Sequence, residues 1–430
     1  MRHLPLFFVD GPGFQAWEDC ARLYREGPRM GTLAHTAAED VTQRPVLPVR
    51  ALRWLVVTLL LALFVGAVVP PLVINFLKPL PVNETFTTAT APTPATVMHL
   101  GGSWPAGERN LPQDPECAQY RDTRDEAPLR CTIATAPASL EQTHTTSKGA
   151  ERDELILEAH TEIIFDGEPL VLFDEHVTLD RGSALPVPGT PHTYRAYSAA
   201  LSEEATAEGE ARPGLRHFVP FNTERRSYLF SDPATGRDEP IDYIDPTAVG
   251  DLDAYVFAQD LNPVRIDATA PNAPIADLLL GNLDFNGRAE RFYSDEELAA
   301  LGLSADDDVE LHTYLTSGRE IVVEPDTGHV LDVDSYYYAF LARDAEEAEN
   351  LAREHTDPNP SRTVFHLSGS WTEEMREARY DATAREVTQL RILQILAWIG
   401  RFFAVVATAA IAWLILRHRR ALQSLPANER

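Results

Sequence analysis

Two long apolar runs constrain this chain more than any other feature of its sequence. The first covers residues 54–77 without a charge, and the second covers 392–416 with a single one, Arg401. A helix needs ~20 residues to cross roughly 30 Å of hydrocarbon, and the core helices of soluble proteins rarely stay uncharged for so long. Arg44, Arg50 and Arg53 precede the first run, with Lys78 alone directly after it, whereas Arg417, His418, Arg419 and Arg420 close the second. Basic residues collect on the cytoplasmic side, so both ends are expected inside and everything between the runs outside. The first run ends in Pro70, Pro71 and Asn75 with no small-residue cleavage pattern, which favours an uncleaved anchor over a secretory leader.

The expected organisation follows. Residues 1–50 form a cytoplasmic extension, 51–78 a transmembrane helix, 79–390 an extracytoplasmic β-rich domain, 391–417 a second transmembrane helix and 418–430 a cytoplasmic tail. The extension carries no clear periodicity, and Met30 is an alternative start. Pro70 and Pro71 lack backbone donors and should kink the first helix. Arg401 lies about one turn inside the expected outer boundary, where its long stem reaches either a lipid headgroup or a neighbouring helix. Small residues recur every fourth position at Ala62 and Gly66, and again at Ala404, Thr408 and Ala412. That spacing permits close helix packing.

Charge and cysteines bound the middle segment. Asp and Glu number 65 against 37 Lys and Arg, for a formal net charge of −28. Such a surface repels nucleic-acid phosphate, so no nucleic-acid partner is expected, and it has no general attraction for anionic lipid. Of the three cysteines, Cys117 and Cys131 fall outside the expected cytoplasmic parts. A bridge closing that loop of about 14 residues is worth roughly 3 kcal/mol, and it suits an oxidising compartment, with Cys20 left reduced on the other side.

Local patterns in the segment are mostly β. Residues 155–165 and 170–179 alternate around Asp166-Gly167, a hairpin signal. Further strands are expected over 226–230 and 254–259. A three-stranded meander is expected over 309–315, 320–323 and 329–340, with turns at Ser317-Gly318 and at 325–328. Ser294 to Glu297 spells a capping box, 343–355 reads as a surface helix, and 372–390 runs unbroken into the second apolar run. The fold class is therefore a membrane-anchored, mainly antiparallel β domain (α+β) with one transmembrane helix at each end.

A search for chemistry finds no nucleophile elbow, zinc-binding helix motif, phosphate loop or dinucleotide fingerprint. Asp326-Thr327-Gly328 sits in a Pro-initiated turn. The acidic groups Asp306 to Asp308 and Asp332/Asp334 follow no calcium-loop spacing, and His160, His176, His312 and His329 follow no ligand spacing. The chain is read as a non-enzyme without metal or cofactor.

An ordered set of short motifs does carry a resemblance. It consists of residues 80–88 (LPVNETFTT), 218–224 (FVPFNTE), 228–236 (YLFSDPATG), 252–257 (LDAYVF) and 323–330 (VEPDTGHV). Together these resemble the actinobacterial porin PorA family, over about residues 50–420, although family members usually begin close to the first span. A β domain between two helices is unlike an outer-membrane barrel. The architecture is similar to that of class B scavenger receptors, which carry lipid through a tunnel. The leading expectation is a plasma-membrane, cell-envelope protein whose outer domain binds or transfers an apolar ligand such as an envelope lipid, with Tyr336, Tyr337 and Tyr338 lining or capping the site. The alternatives are a structural protein that docks envelope partners and a pore. A pore would require several copies meeting through the helices, since two helices cannot enclose a channel.

Overall fold

The structure, a computed structural model, describes residues 48–98, 112, 115–120, 127–199, 202–266 and 284–423. Nearly all of the expected extension over 1–50, Cys20 and Arg44 included, lies outside the described residues. The chain divides into two compact units, Arg53–Ala410 and Met1–Leu52 with Ile411–Arg430. Among its described residues the second unit holds Pro48 and two helical segments, 49–52 and 411–423.

The first apolar run is helical in three pieces: α1 (Val49–Leu63), a single π-turn (Phe64–Val68) and α2 (Val69–Leu77). Strands follow in chain order, β1 (Thr85–Ala89), β2 (Thr93–Met98), β3 (Ile133–Lys148), β4 (Glu154–Phe165) and β5 (Glu168–Asp180). Next come β6 (Pro191–Ser198), β7 (Glu203–Glu210), β8 (Tyr228–Ser231), β9 (Asp238–Val249), β10 (Leu252–Asp260) and β11 (Val264–Arg265). The last four are β12 (Asp284–Arg288), β13 (Asp308–Val323), β14 (Val330–Ala342) and β15 (Thr363–Ser370). All of these pairings are antiparallel, in the order β7-β6-β5-β4-β3-β2-β15-β14-β13-β10-β9-β8. β1 is added on β3, and β11 and β12 on β13. The domain is thus mainly antiparallel β with a few helices.

Turn chemistry explains the long hairpins. Asp166 and Gly167, between β4 and β5, both take positive φ, 53° and 80°, as the tight hairpin turn matching strand twist demands. The expected turn at Ser317-Gly318 does not form, and β13 runs straight through it. Gly318 serves instead as a space-maker, because a Cβ there would meet the Tyr336 ring at 2.3 Å and the Asp260 carboxylate at 2.4 Å. The expected meander is therefore two long strands, β13 and β14, joined by the turn at 325–328. β9 pairs with β8 only as far as Ile241, so its later part, which contains Pro246, has β10 alone as a partner.

The helices are few and capped. α3 (Pro115–Ala118) carries Cys117, which is bonded to Cys131 across a Cα–Cα distance of 5.2 Å. α4 (Asp295–Leu301) opens with the reciprocal Ser294–Glu297 capping box and closes on Gly302 at φ 67°. α5 (Ala345–Ala352) is capped by Asp344 and covers β14, burying Ala348 and Leu351 against Tyr338 and Phe340. α6 (Glu373–Gln423) is one uninterrupted helix of 51 residues. Its early part is clamped to the sheet, where Tyr380, Ala384 and Val387 pack on Val249, Leu252, Ala254 and Leu331. At the sheet's far end β7 is an edge strand with Glu203, Glu204, Glu208 and Glu210 exposed.

A buried ion pair ties the β8–β9 corner to the sheet. Asp232 is fully buried and accepts from the Thr235 amide at 2.6 Å, the Thr235 hydroxyl at 2.9 Å, the Ser317 hydroxyl at 3.0 Å and the Arg319 guanidinium. Removing the carboxylate strands a buried arginine. Asp232→Ala is therefore expected to cost about 3–5 kcal/mol in denaturant unfolding of the full chain in detergent, with much of that recovered when Arg319→Met is added.

Candidate functional site

Beyond the Asp232 cluster, two places stand out for polar groups set in apolar surroundings. The first is a row across the sheet. Register places Phe86 on β1, His144 on β3, Ala159 on β4, Glu175 on β5 and Tyr194 on β6 side by side on one face. The small Ala159 leaves a gap in this row, and His217, from the segment between β7 and β8, bridges it. Its Nε2 lies 2.8 Å from Glu175 Oε2, and its Nδ1 lies 2.9 Å from His144 Nε2. Glu175 Oε1 also accepts from His192 Nε2 at 2.8 Å and from Arg216 at 2.9 Å. Arg216 completes the group by donating to the Tyr194 hydroxyl and, at 3.3 Å, to His192 Nδ1.

The electrostatics follow from burial and neighbours. Burial alone pushes the Glu175 carboxyl up, but His217, the hydrogen bonds from His192 and His217, and the Arg216 charge hold it well below the usual carboxylate range. Burial, then His217, holds the His144 imidazole well below 6.5, and burial lowers His192. His192, which accepts from Arg216 at Nδ1, donates from Nε2 to Glu175, and His217 Nε2 donates to the other carboxylate oxygen. His144 Nδ1 is buried without a hydrogen-bond partner. The carboxylate's lone pairs are committed to protein donors. No group of three or more His, Cys, Asp or Glu suited to a metal ion occurs among the described residues.

The second place is the pairing of the two apolar helices within the Arg53–Ala410 unit. Ala62 and Gly66 of the first helix face Ala397, Gly400, Ala404 and Ala407 of α6, all buried. Contact is backbone to backbone. A Cβ on Gly66 would meet the Arg401 amide nitrogen at 2.8 Å, and one on Gly400 would meet the Gly66 Cα at 2.7 Å. The seam thus follows Ala397, Gly400, Ala404 and Ala407, not the expected line of Ala404, Thr408 and Ala412, of which only Ala404 is buried. Within the π-turn the Val69 amide bonds to Phe64 O, so this stretch is registered five residues back. Gly66 O would take its donor from residue 70 in the α register and from residue 71 in the π register. Both positions are proline and neither has an N–H. The orphaned carbonyl accepts from Arg401 Nε at 3.3 Å.

Arg401 therefore reaches across to the neighbouring helix, its guanidinium also lying 5.5 Å from the Trp398 ring. The three expected tyrosines are not gathered into one site, because successive strand residues point to opposite faces. Tyr338 is fully buried beneath α5, and Tyr336 stacks on His355 at 4.0 Å and bonds to Asp260. Tyr337 shares the other face with Ser317. His160 and His312 form exposed pairs with Asp174 and Asp284. His329 sits between Thr383 and Glu386 of α6, where burial lowers it to about 4. The histidines that do cluster are His144, His192 and His217, which no spacing in the sequence marks. The one local sign was the alternation of His192 with Tyr194, which puts both on one face.

A mainly antiparallel β domain clamped to a helix that continues into a glycine-packed apolar pair defines the class: a β domain flanked by two apolar helices. The profile of the family described as Porin PorA matches residues 54–413, and the chain belongs to that family. A protein named Porin PorA from Corynebacterium resistens is 28% identical over 248 residues, which cover 51% of this chain and 60% of that protein. Another of the same name from Corynebacterium amycolatum is 24% identical over 340 residues, covering 74% of this chain and 85% of that protein. The chain thus spans less than two thirds of the first of these relatives.

Two outcomes follow. Groups whose folded pKa is depressed favour the native state while deprotonated. Stability carried by His144, His192 and His329 should thus be intact above about pH 7 and lost as pH falls from 6.5 toward 4. Glu175 adds to the loss below its ordinary 4.5. Unfolding measured against pH should show this slope, and His144→Gln should lower it by up to about 1.4 kcal/mol per pH unit. In the helix pair, Arg401→Ala should weaken association by about 1 kcal/mol. The same substitution should do less when Pro70→Ala and Pro71→Ala restore donors to Gly66 O. A thermal double-mutant cycle in micelles gives that coupling.

Proposed function

We propose that the chain is a two-pass membrane protein of the cell envelope, with its β domain outside the cytoplasm and both ends inside. Its helix pair is the building block of an oligomeric pore. The observation that carries this reading is the helix pair itself. Its seam is made of alanine and glycine, while large apolar residues such as Leu60, Leu72, Ile395, Phe402 and Val405 are left exposed. In water those side chains would have no place; in a bilayer they face lipid chains or further copies. The asymmetry of basic residues, with Arg50 and Arg53 at one run and Arg417, Arg419 and Arg420 at the other, supports the orientation. The relatives' printed name, Porin PorA, favours a pore among the readings open to such a protein. One pair cannot enclose a water path, so several copies are needed.

An apolar ligand carried inside the β domain draws no support from the described residues. Of the tyrosines expected to line its site, Tyr338 is packed in the core beneath α5, Tyr336 is engaged with His355 and Asp260, and Tyr337 points to the opposite face of the sheet.

The test is reconstitution of the full-length protein into planar bilayers, with copy number counted in detergent. We expect discrete conductance steps from an oligomer. Given the net charge of −28, they should prefer cations, and the preference should shrink as salt screens the acidic domain. A well-folded protein that stays monomeric and silent would sink the reading and favour a scaffold that docks envelope partners.

A further inference from the structure

Between Ile392 and Leu416 every residue of α6 is aliphatic, aromatic, alanine or glycine, except Gln394, Arg401 and Thr408. These three are seven residues apart. Seven residues make nearly two turns, so the three stand in one line along the helix, drifting by only about 20° at each step. The line runs beside the seam, whose buried residues are Ala397, Gly400, Ala404 and Ala407, and all three polar residues are exposed. Diametrically opposite lie Ile392, Ile399, Phe403 and Val406, all large, apolar and exposed. α6 is thus amphipathic within its apolar stretch, with one face for the first helix, one fit for lipid and, beside the seam, one polar line unsuited to lipid.

The partners of this line are missing from the pair. Thr408 turns its hydroxyl to Ala404 O of its own helix at 2.8 Å. Among the described residues the Arg401 guanidinium has one acceptor, Gly66 O, which engages only Nε. Among the described residues no carboxylate meets the forked terminal nitrogens. Charged and polar side chains at such depth face a bundle interior or water, because lipid chains offer no acceptors. The bond to Gly66 O also fixes the guanidinium sideways, toward the first helix, instead of upward to the headgroups.

We propose that Gln394, Arg401 and Thr408 line the water-filled interior of the oligomer, each copy contributing one such polar line, with Ile399, Phe403 and Val406 turned to lipid. This rests on the pore reading above. Arg401 then forms a positive ring near the outer mouth of a pore whose outer domain is acidic, and so opposes the cation preference of the domain.

The test uses full-length protein carrying Cys20→Ser, with Gln394→Cys, Thr408→Cys, Ile399→Cys or Val406→Cys added singly, reconstituted and treated with a charged, membrane-impermeant methanethiosulfonate. Conductance should fall about two-fold or more at positions 394 and 408 and stay unchanged at 399 and 406. Arg401→Gln should shift the reversal potential in a salt gradient toward stronger cation preference. Channels that respond at 399 and 406 instead overturn the assignment while leaving the pore reading intact. So do channels in which residue 394 cross-links between copies without any reagent effect, since the line is then a dry seam. Absence of conductance from every protein, the unmodified one included, removes the pore reading and this inference together.

Discussion

A single backbone carbonyl organises the helix pair. Gly66 O has lost its donor in both possible helical registers because Pro70 and Pro71 follow it, and a buried carbonyl without a donor is costly. Three features meet at this point. Gly66 lets the neighbouring backbone come close, Gly400 allows the same from the other side, and Arg401 supplies the missing N–H at 3.3 Å. The proline kink, the glycine seam and the lone charge of the second run are one arrangement, and each is hard to rationalise without the other two.

α6 carries that arrangement into the domain. It rises about 1.5 Å per residue, and within the Arg53–Ala410 unit its early turns grip the β9–β10 end of the sheet while later turns hold the first helix. Gly250, at φ 59° in the β9–β10 turn, sits so close to Tyr380 that a Cβ would meet the phenol oxygen at 2.7 Å. No hinge residue separates grip from seam. The His–Glu–Arg row lies elsewhere, on β3 to β6, although Arg379 of α6 reaches the Phe86 ring at its end, 5.7 Å away.

Much of this is legible in the sequence. Apolar length announced the two helices, Asp166-Gly167 the long hairpin, Ser294 with Glu297 the capped helix, and the unbroken 372–390 stretch the continuity of α6. What escaped notice depends on positions distant in sequence. Gly318 has turn chemistry, yet its task is to admit a ring from the next strand, and only register reveals the difference. His144, Glu175, His192 and His217 belong to four separate segments, and nothing local ties them together. Arg401 was legible as an anomaly, but its partner was not. Depth pointed to headgroups, whereas the acceptor depends on which carbonyl the two prolines orphan and on how the helices are rotated.

The exposed glutamates of β7 constrain how copies of the chain can meet. A free edge strand is an invitation for a second sheet to continue the ladder. Here an approaching copy would bring Glu203, Glu204, Glu208 and Glu210 against the same four carboxylates. Like charges directly opposite one another are destabilising. The domain thereby resists fusion of its sheet with that of a second copy through this edge.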